Sequence, residues 1–150
     1  MRNPSSRVSR KTSAPLPLEE LTALSPTDGR YRAVSEALAA YFSEYALIKK
    51  RLVVEVEYLV ALSKVPRLGV RRLTDKEVKL LLSLGEATLE DARIVKAIEK
   101  EGYQGVSATN HDVKAVEYFL KLKLKGTSLE DVTEWLHFAL TSEDVNSIAY

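Results

Sequence analysis

The chain has 150 residues, with 22 Lys and Arg against 21 Asp and Glu. Near-zero net charge gives no general electrostatic case for a nucleic acid or a membrane surface as partner. Cysteine is absent, which excludes disulfides, thiol nucleophiles and cysteine-based zinc sites, and only His111 and His137 offer imidazole for a metal.

Residues 1–20 differ in character from the rest. Arg2, Arg7, Arg10 and Lys11 stand among serines and prolines, and no acid precedes Glu19. The preferred reading is a disordered basic arm, with an organelle transit peptide as the alternative. No apolar run approaches the ~20 residues a membrane-crossing helix needs.

Ser25-Pro26-Thr27-Asp28-Gly29-Arg30 is rich in turn formers and predicts a tight loop. From Val34 the apolar residues Val34, Leu38, Tyr41, Tyr45, Ile48, Leu52, Val56 and Leu59 step by threes and fours. That spacing predicts one long helix, or two end to end, with its stripe buried against neighbouring helices. Pro66 and Gly69 mark a loop. Thr74-Asp75-Lys76-Glu77 matches a capping box, in which the hydroxyl and the carboxylate each satisfy an orphan backbone N–H. The helix it opens is expected to end near Gly85. Thr88-Leu89-Glu90-Asp91 predicts another start, with Gly102 as its stop.

Asn110 is the expected N-cap of a helix carrying Val113, Val116, Phe119 and Leu122, ended by Gly126. Ser128-Leu129-Glu130-Asp131 predicts a further helix that buries Val132, Trp135, Leu136 and Phe138. Thr141-Ser142-Glu143-Asp144 offers one more cap or kink. No Gly, Pro or basic last turn precedes Tyr150, so the pattern predicts a helix interrupted by the chain end. The expected fold class is all-α.

Three polar clusters fall at loops and helix starts, where free N–H groups and the positive end of the helix dipole favour anions. They are Arg30 and Tyr31; Asn110, His111 and Asp112; and Thr141 and Ser142. Arg30 can fork onto a phosphate or carboxylate, and His111 can bind an anion or move a proton. Each cluster has a plainer reading as an ordinary helix entry with its cap. His137, among Trp135, Phe138 and Leu140, reads as a packing residue. No phosphate loop, dinucleotide fingerprint or HExxH is present.

Taken together, the strings Leu21-Thr-Ala-Leu-Ser-Pro-Thr-Asp-Gly-Arg-Tyr31, Thr109-Asn-His-Asp-Val-Lys-Ala-Val-Glu-Tyr-Phe119 and His137-Phe-Ala-Leu-Thr-Ser-Glu-Asp-Val-Asn146 resemble the adenylosuccinate lyases of the fumarase/aspartase superfamily. The resemblance implies an N-terminal helical lyase domain over residues 21–110. Residues 111–150 would open a long central helical bundle. It implies β-elimination of fumarate from adenylosuccinate, leaving AMP, and from a succinyl imidazole-carboxamide ribotide, without cofactor or metal. By the same resemblance Arg30, Tyr31, Asn110, His111, Asp112, Thr141 and Ser142 bind substrate. The catalytic His and Ser are expected beyond residue 150, so the isolated chain is expected to be inactive. A homotetramer in the cytoplasm is implied as well. The alternative is a non-catalytic helical interaction module derived from such an enzyme.

Overall fold

A computed structural model describes residues 25–150. The basic arm expected over residues 1–20, and the beginning of ordered chain near Leu21, lie outside the described residues. The chain divides into two units, Met1–Ala37 and Leu38–Tyr150.

In the first unit, residues 25–31 form the tight loop that their turn formers predict. The Tyr31 N–H reaches back to the Pro26 carbonyl at 2.8 Å, and the Asp28 N–H to that of Ser25 at 3.0 Å. One helical turn follows, α1 (Arg32–Ser35). The Ser35 hydroxyl donates to the Thr27 carbonyl at 2.9 Å and ties that turn to the loop.

The second unit is helical, and no strand occurs among the described residues. A short turn, α2 (Ala39–Phe42), precedes the long helix α3 (Glu44–Leu62). The predicted continuous stripe therefore breaks at Ser43. Its backbone is extended, and its hydroxyl accepts the Ala46 N–H at 3.1 Å, which makes it an N-cap. Tyr41 and Phe42, on the near side of that break, are 72% and 83% exposed. Beyond it Ile48, Leu52, Val56 and Leu59 are buried, as their spacing requires.

Helices α4 (Asp75–Leu84) and α5 (Leu89–Lys100) open on the two capping boxes read from the sequence, Thr74 with Glu77 and Thr88 with Asp91. Glu77 is also gripped by Arg71, whose Nη2 lies 2.7 Å from its Oε1. With the Thr74 N–H as a second donor, this holds the Glu77 carboxyl far below the usual range. Arg71 extends to Asp131 at 2.7 Å and so ties the start of α4 to a segment 60 positions further on.

Gly102 ends α5 at φ +87, and a Cβ there would lie 2.6 Å from the Val106 carbonyl. The residue is glycine because both the angle and the close approach exclude a side chain. Tyr103 and Val106 exchange backbone hydrogen bonds at 2.9 Å and close the turn toward α6 (Asp112–Leu124). Helices α5 and α6 pack on each other and on α3. The shared core includes Val95, Ile98, Val116, Phe119, Leu120 and Leu124.

The helix expected after Ser128 is a short 3-10 turn, Glu130–Trp135, with no side-chain cap. Glu130 is drawn instead to the Gly126 N–H at 2.8 Å, and the Thr127 hydroxyl takes the Leu129 N–H at 3.2 Å. The Asp131 carboxylate that a box on Ser128 would need is held by Arg71, at 2.7 and 3.0 Å. Val132 and Leu136 are buried as expected, whereas Phe138 is 41% exposed. Thr141 opens α7 (Ser142–Ala149) through a third capping box, with Asp144. Among the described residues no helix is long and apolar enough to cross a membrane.

Asp91 links local capping to stability against acid. Lys123, 2.8 Å away, lowers its pKa to about 2 against the opposing effect of burial, and Thr88 adds two hydrogen bonds. A carboxyl whose folded value lies below its unfolded ~3.9 stabilises the fold above that value and ceases to do so as pH falls through its folded value. Asp91→Asn is therefore expected to cost about 1 kcal/mol at neutral pH, a typical capping contribution. The difference from the parent should shrink between about pH 4 and pH 2, read as the gap between their thermal midpoints.

Candidate functional site

The site grows from two charged residues one turn apart on α3. Arg51 and Glu55 fall on the buried face of the helix, among Ile48, Leu52, Val56 and Leu59. A buried charge needs partners, and these two find theirs far along the chain. Arg51 Nη2 lies 2.7 Å from Asp112 Oδ2, at the start of α6. Its Nε donates to Asn146 Oδ1 on α7 at 2.9 Å. One guanidinium thus ties the first residue of α6 to the middle of α7. Burial pushes the Asp112 carboxyl up, but the Val113 N–H and Arg51 outweigh it and leave the group below its ordinary value.

Glu55 is fully buried and receives His137 twice. The His137 backbone N–H donates to Oε2 at 3.0 Å, and Nδ1 lies 2.6 Å from Oε1. Burial raises the Glu55 pKa, while these contacts with His137 oppose the rise. His137 itself has φ +58, an uncommon angle for a residue with a Cβ.

At the head of α6 the N-cap is His111, one residue later than the expected Asn110. Asn110 adopts φ +49, and its backbone N–H goes to the Glu99 carbonyl at 2.9 Å. His111 is the extended residue, and its Nδ1 accepts the Lys114 N–H at 3.3 Å. Asparagine tolerates the left-handed turn and so releases the capping position to its neighbour. Across from it, Ser142 Oγ stands 3.3 Å from His111 Nε2. Residues 31 apart in sequence therefore meet where the N-termini of α6 and α7 converge.

His111, Lys114, His137, Leu140, Thr141 and Ser142 line an open cleft of about 450 Å³. A second cleft of about 480 Å³, lined by Ser107, Thr109, Lys114 and Tyr118 among others, adjoins it through Lys114. The Thr141 hydroxyl is committed to Asp144 Oδ2 at 2.7 Å, so Ser142 carries the hydroxyl available to a ligand. Two helix N-termini, a lysine and two imidazoles suit an anion with hydrogen-bond acceptors.

Of the residues singled out from sequence, His111, Thr141 and Ser142 line this cleft. Asp112 stands behind it on Arg51, and Asn110 is exposed outside its lining. Arg30 and Tyr31 belong to the first unit, where the guanidinium lies 5.5 Å from the centre of the Tyr31 ring. Among the described residues no group of three or more acidic or histidine side chains gathers for a metal.

Curated proteins of similar sequence agree on a single activity. The chain is 46% identical over 144 residues to the adenylosuccinate lyase of Dictyostelium discoideum, across 92% of its own length. It is 43% identical over 138 residues to that of Buchnera aphidicola from Acyrthosiphon pisum, and 42% over 140 residues to that of Escherichia coli K12, each across 89% of its length. Over nearly all of its own length the chain is similar to part of an adenylosuccinate lyase. It spans only 28–29% of the length of these relatives. No protein-family model matches it.

Sequence reasoning missed the partners that hold the cleft of this adenylosuccinate lyase relative. The sequence alone does not single out Arg51, Glu55 or Lys114, and it presents His137 as a packing residue. A signal existed for two of them. Arg51 and Glu55 stand four residues apart on the same face as the apolar stripe, where solvated charges do not belong.

Proposed function

We propose that the chain forms part of the substrate site of an adenylosuccinate lyase, which releases fumarate from adenylosuccinate and from the succinyl imidazole-carboxamide ribotide of purine nucleotide synthesis. The observation that carries this reading is the meeting of His111 and Ser142, at 3.3 Å, in a cleft between two helix N-termini. A substrate with one phosphate and two carboxylates needs convergent anion-binding groups of this kind. In this reading His111, Thr141 and Ser142 bind it, with Asn110 and Asp112 beside them and Arg30 and Tyr31 on the nucleotide end. Asp112 acts from behind, orienting the first turn of α6.

Elimination requires a base to take the proton next to a carboxylate and an acid to protonate the departing nitrogen. In this reading the described residues supply neither group. Positioning is then what this part supplies, and correct alignment of reacting groups accounts for much of the rate gain in such reactions. Residues 21–110 serve as the lyase's N-terminal domain, and residues 111–150 begin its central bundle. The groove between α3 and α7, lined by Val54, Tyr58, Ala61, Leu140 and Ile148, suits burial against further helices of a homotetramer. The working location is the cytoplasm.

The test uses the purified 150-residue chain, its amide resonances and a fumarate assay. Adenylosuccinate is expected to shift amides of residues 107–114 and 137–142, with no fumarate formed. Shifts confined to other surfaces, or turnover by the pure chain, would overturn the reading.

A further inference from the structure

The hydrogen bonds around the cleft constrain where protons sit on its two imidazoles. In a neutral histidine one ring nitrogen donates and the other accepts, and the partner of one fixes the role of the other. His111 Nδ1 faces a backbone N–H, that of Lys114 at 3.3 Å. A backbone N–H only donates, so this nitrogen must accept. The proton of neutral His111 therefore sits on Nε2, pointing at Ser142 Oγ.

His137 is held the other way round. Its Nδ1 lies 2.6 Å from Glu55 Oε1, and its backbone N–H occupies Glu55 Oε2. The backbone N–H donating to this buried carboxyl favours its ionised form, and an ionised carboxylate only accepts, which calls for a proton on Nδ1. Other charged groups near His137 are Asp144 on α7, whose carboxyl senses it, and Lys114 across the cleft on α6.

We propose that Glu55 is a positioning residue that keeps a proton on His137 Nδ1, while the first turn of α6 keeps His111 Nδ1 bare, so that the cleft presents two unlike Nε2 atoms. His111 Nε2 is a standing donor. His137 Nε2 is left as an acceptor by the proton on Nδ1. A ligand is then met by a fixed donor on the α6 side and by a bare acceptor nitrogen on the other. The inference deepens the function proposed above and rests on that reading for the identity of the ligand alone.

Long-range proton–nitrogen spectra of the whole chain, labelled with 15N-histidine, read the tautomers directly. They are recorded near pH ~8.5, two units above the ordinary imidazole value. His111→Gln assigns the two rings. The expected spectrum shows a protonated Nδ1 for His137 and a bare Nδ1 with protonated Nε2 for His111. A bare His137 Nδ1, or the same form for both rings, overturns the proposal without any further variant.

Glu55→Gln replaces an obligate acceptor by a group that also donates. The Nδ1-protonated population of His137 is expected to fall roughly fivefold while His111 is unchanged. An unaltered His137 in a variant whose circular dichroism is native removes Glu55 from the role. If Glu55→Gln does not fold, the parent spectrum decides. Titration with AMP separates the two readings: tautomers as stated with no response to AMP support the positioning by Glu55 and overturn the nucleotide site.

Discussion

Phe119→Ala lowers the unfolding free energy of the chain by about 4 kcal/mol, the range for truncating a large core aromatic. Phe119 is 2% exposed and packs in the core that α6 shares with α3 and α5. Its loss removes the transfer free energy of the ring and leaves a cavity that three helices close only partly. The measurement is urea unfolding, with a lower midpoint and an unchanged slope expected. Phe42→Ala is the matched control. That ring is 83% exposed, so its removal should fall within about 0.5 kcal/mol of the parent. Equal effects at the two positions would mean that α6 does not form the core described here.

Arg51→Met costs about 3 kcal/mol and loosens the cleft as well. Methionine keeps most of the apolar stem but leaves Asp112 and Asn146 without their shared donor. Breaking a buried ion pair costs 3–5 kcal/mol in general, and the lower end applies because the Asp112 side chain is 45% exposed and can rehydrate. A double-mutant cycle with Asp112→Asn should return a coupling of about 1–3 kcal/mol, since the two groups are in direct contact. The first turn of α6 then loses its anchor to α3. AMP affinity should drop at least about tenfold, equivalent to 1.4 kcal/mol, as His111 and Lys114 move with that turn. A stability loss with unchanged AMP binding would show that α6 holds its place without Arg51.

What could be read from the sequence was mostly local. Thr74, Thr88 and Thr141 each cap a helix whose first turn carries the matching acid three residues later, so the whole device lies within four residues. The buried stripe of α3 was legible for the same reason. Asn110 and His111 were harder, because both can cap, and the choice turned on which of them takes the left-handed angle. The capping box expected at Ser128 did not form because Arg71, 60 positions away, holds the Asp131 carboxylate. The supports of the cleft are long-range. Arg51 meets a residue 95 positions away and Glu55 one 82 positions away. No local pattern encodes which distant loop will answer a buried charge. The convergence of His111 and Ser142 was anticipated through family resemblance, whereas spacing alone left both as plain helix entries.

The segment between the 3-10 turn and α7 holds both His137 and Ala139 at φ +58. Left-handed angles cost a residue with a Cβ roughly 1–2 kcal/mol each. Glycine at position 139 would ease that cost and also widen the backbone freedom of the linker that carries His137. Thermostability and fidelity of imidazole placement thus pull in opposite directions at this one alanine. A search for hardier variants would be drawn to it and would gain melting temperature by blurring the aim of the ring.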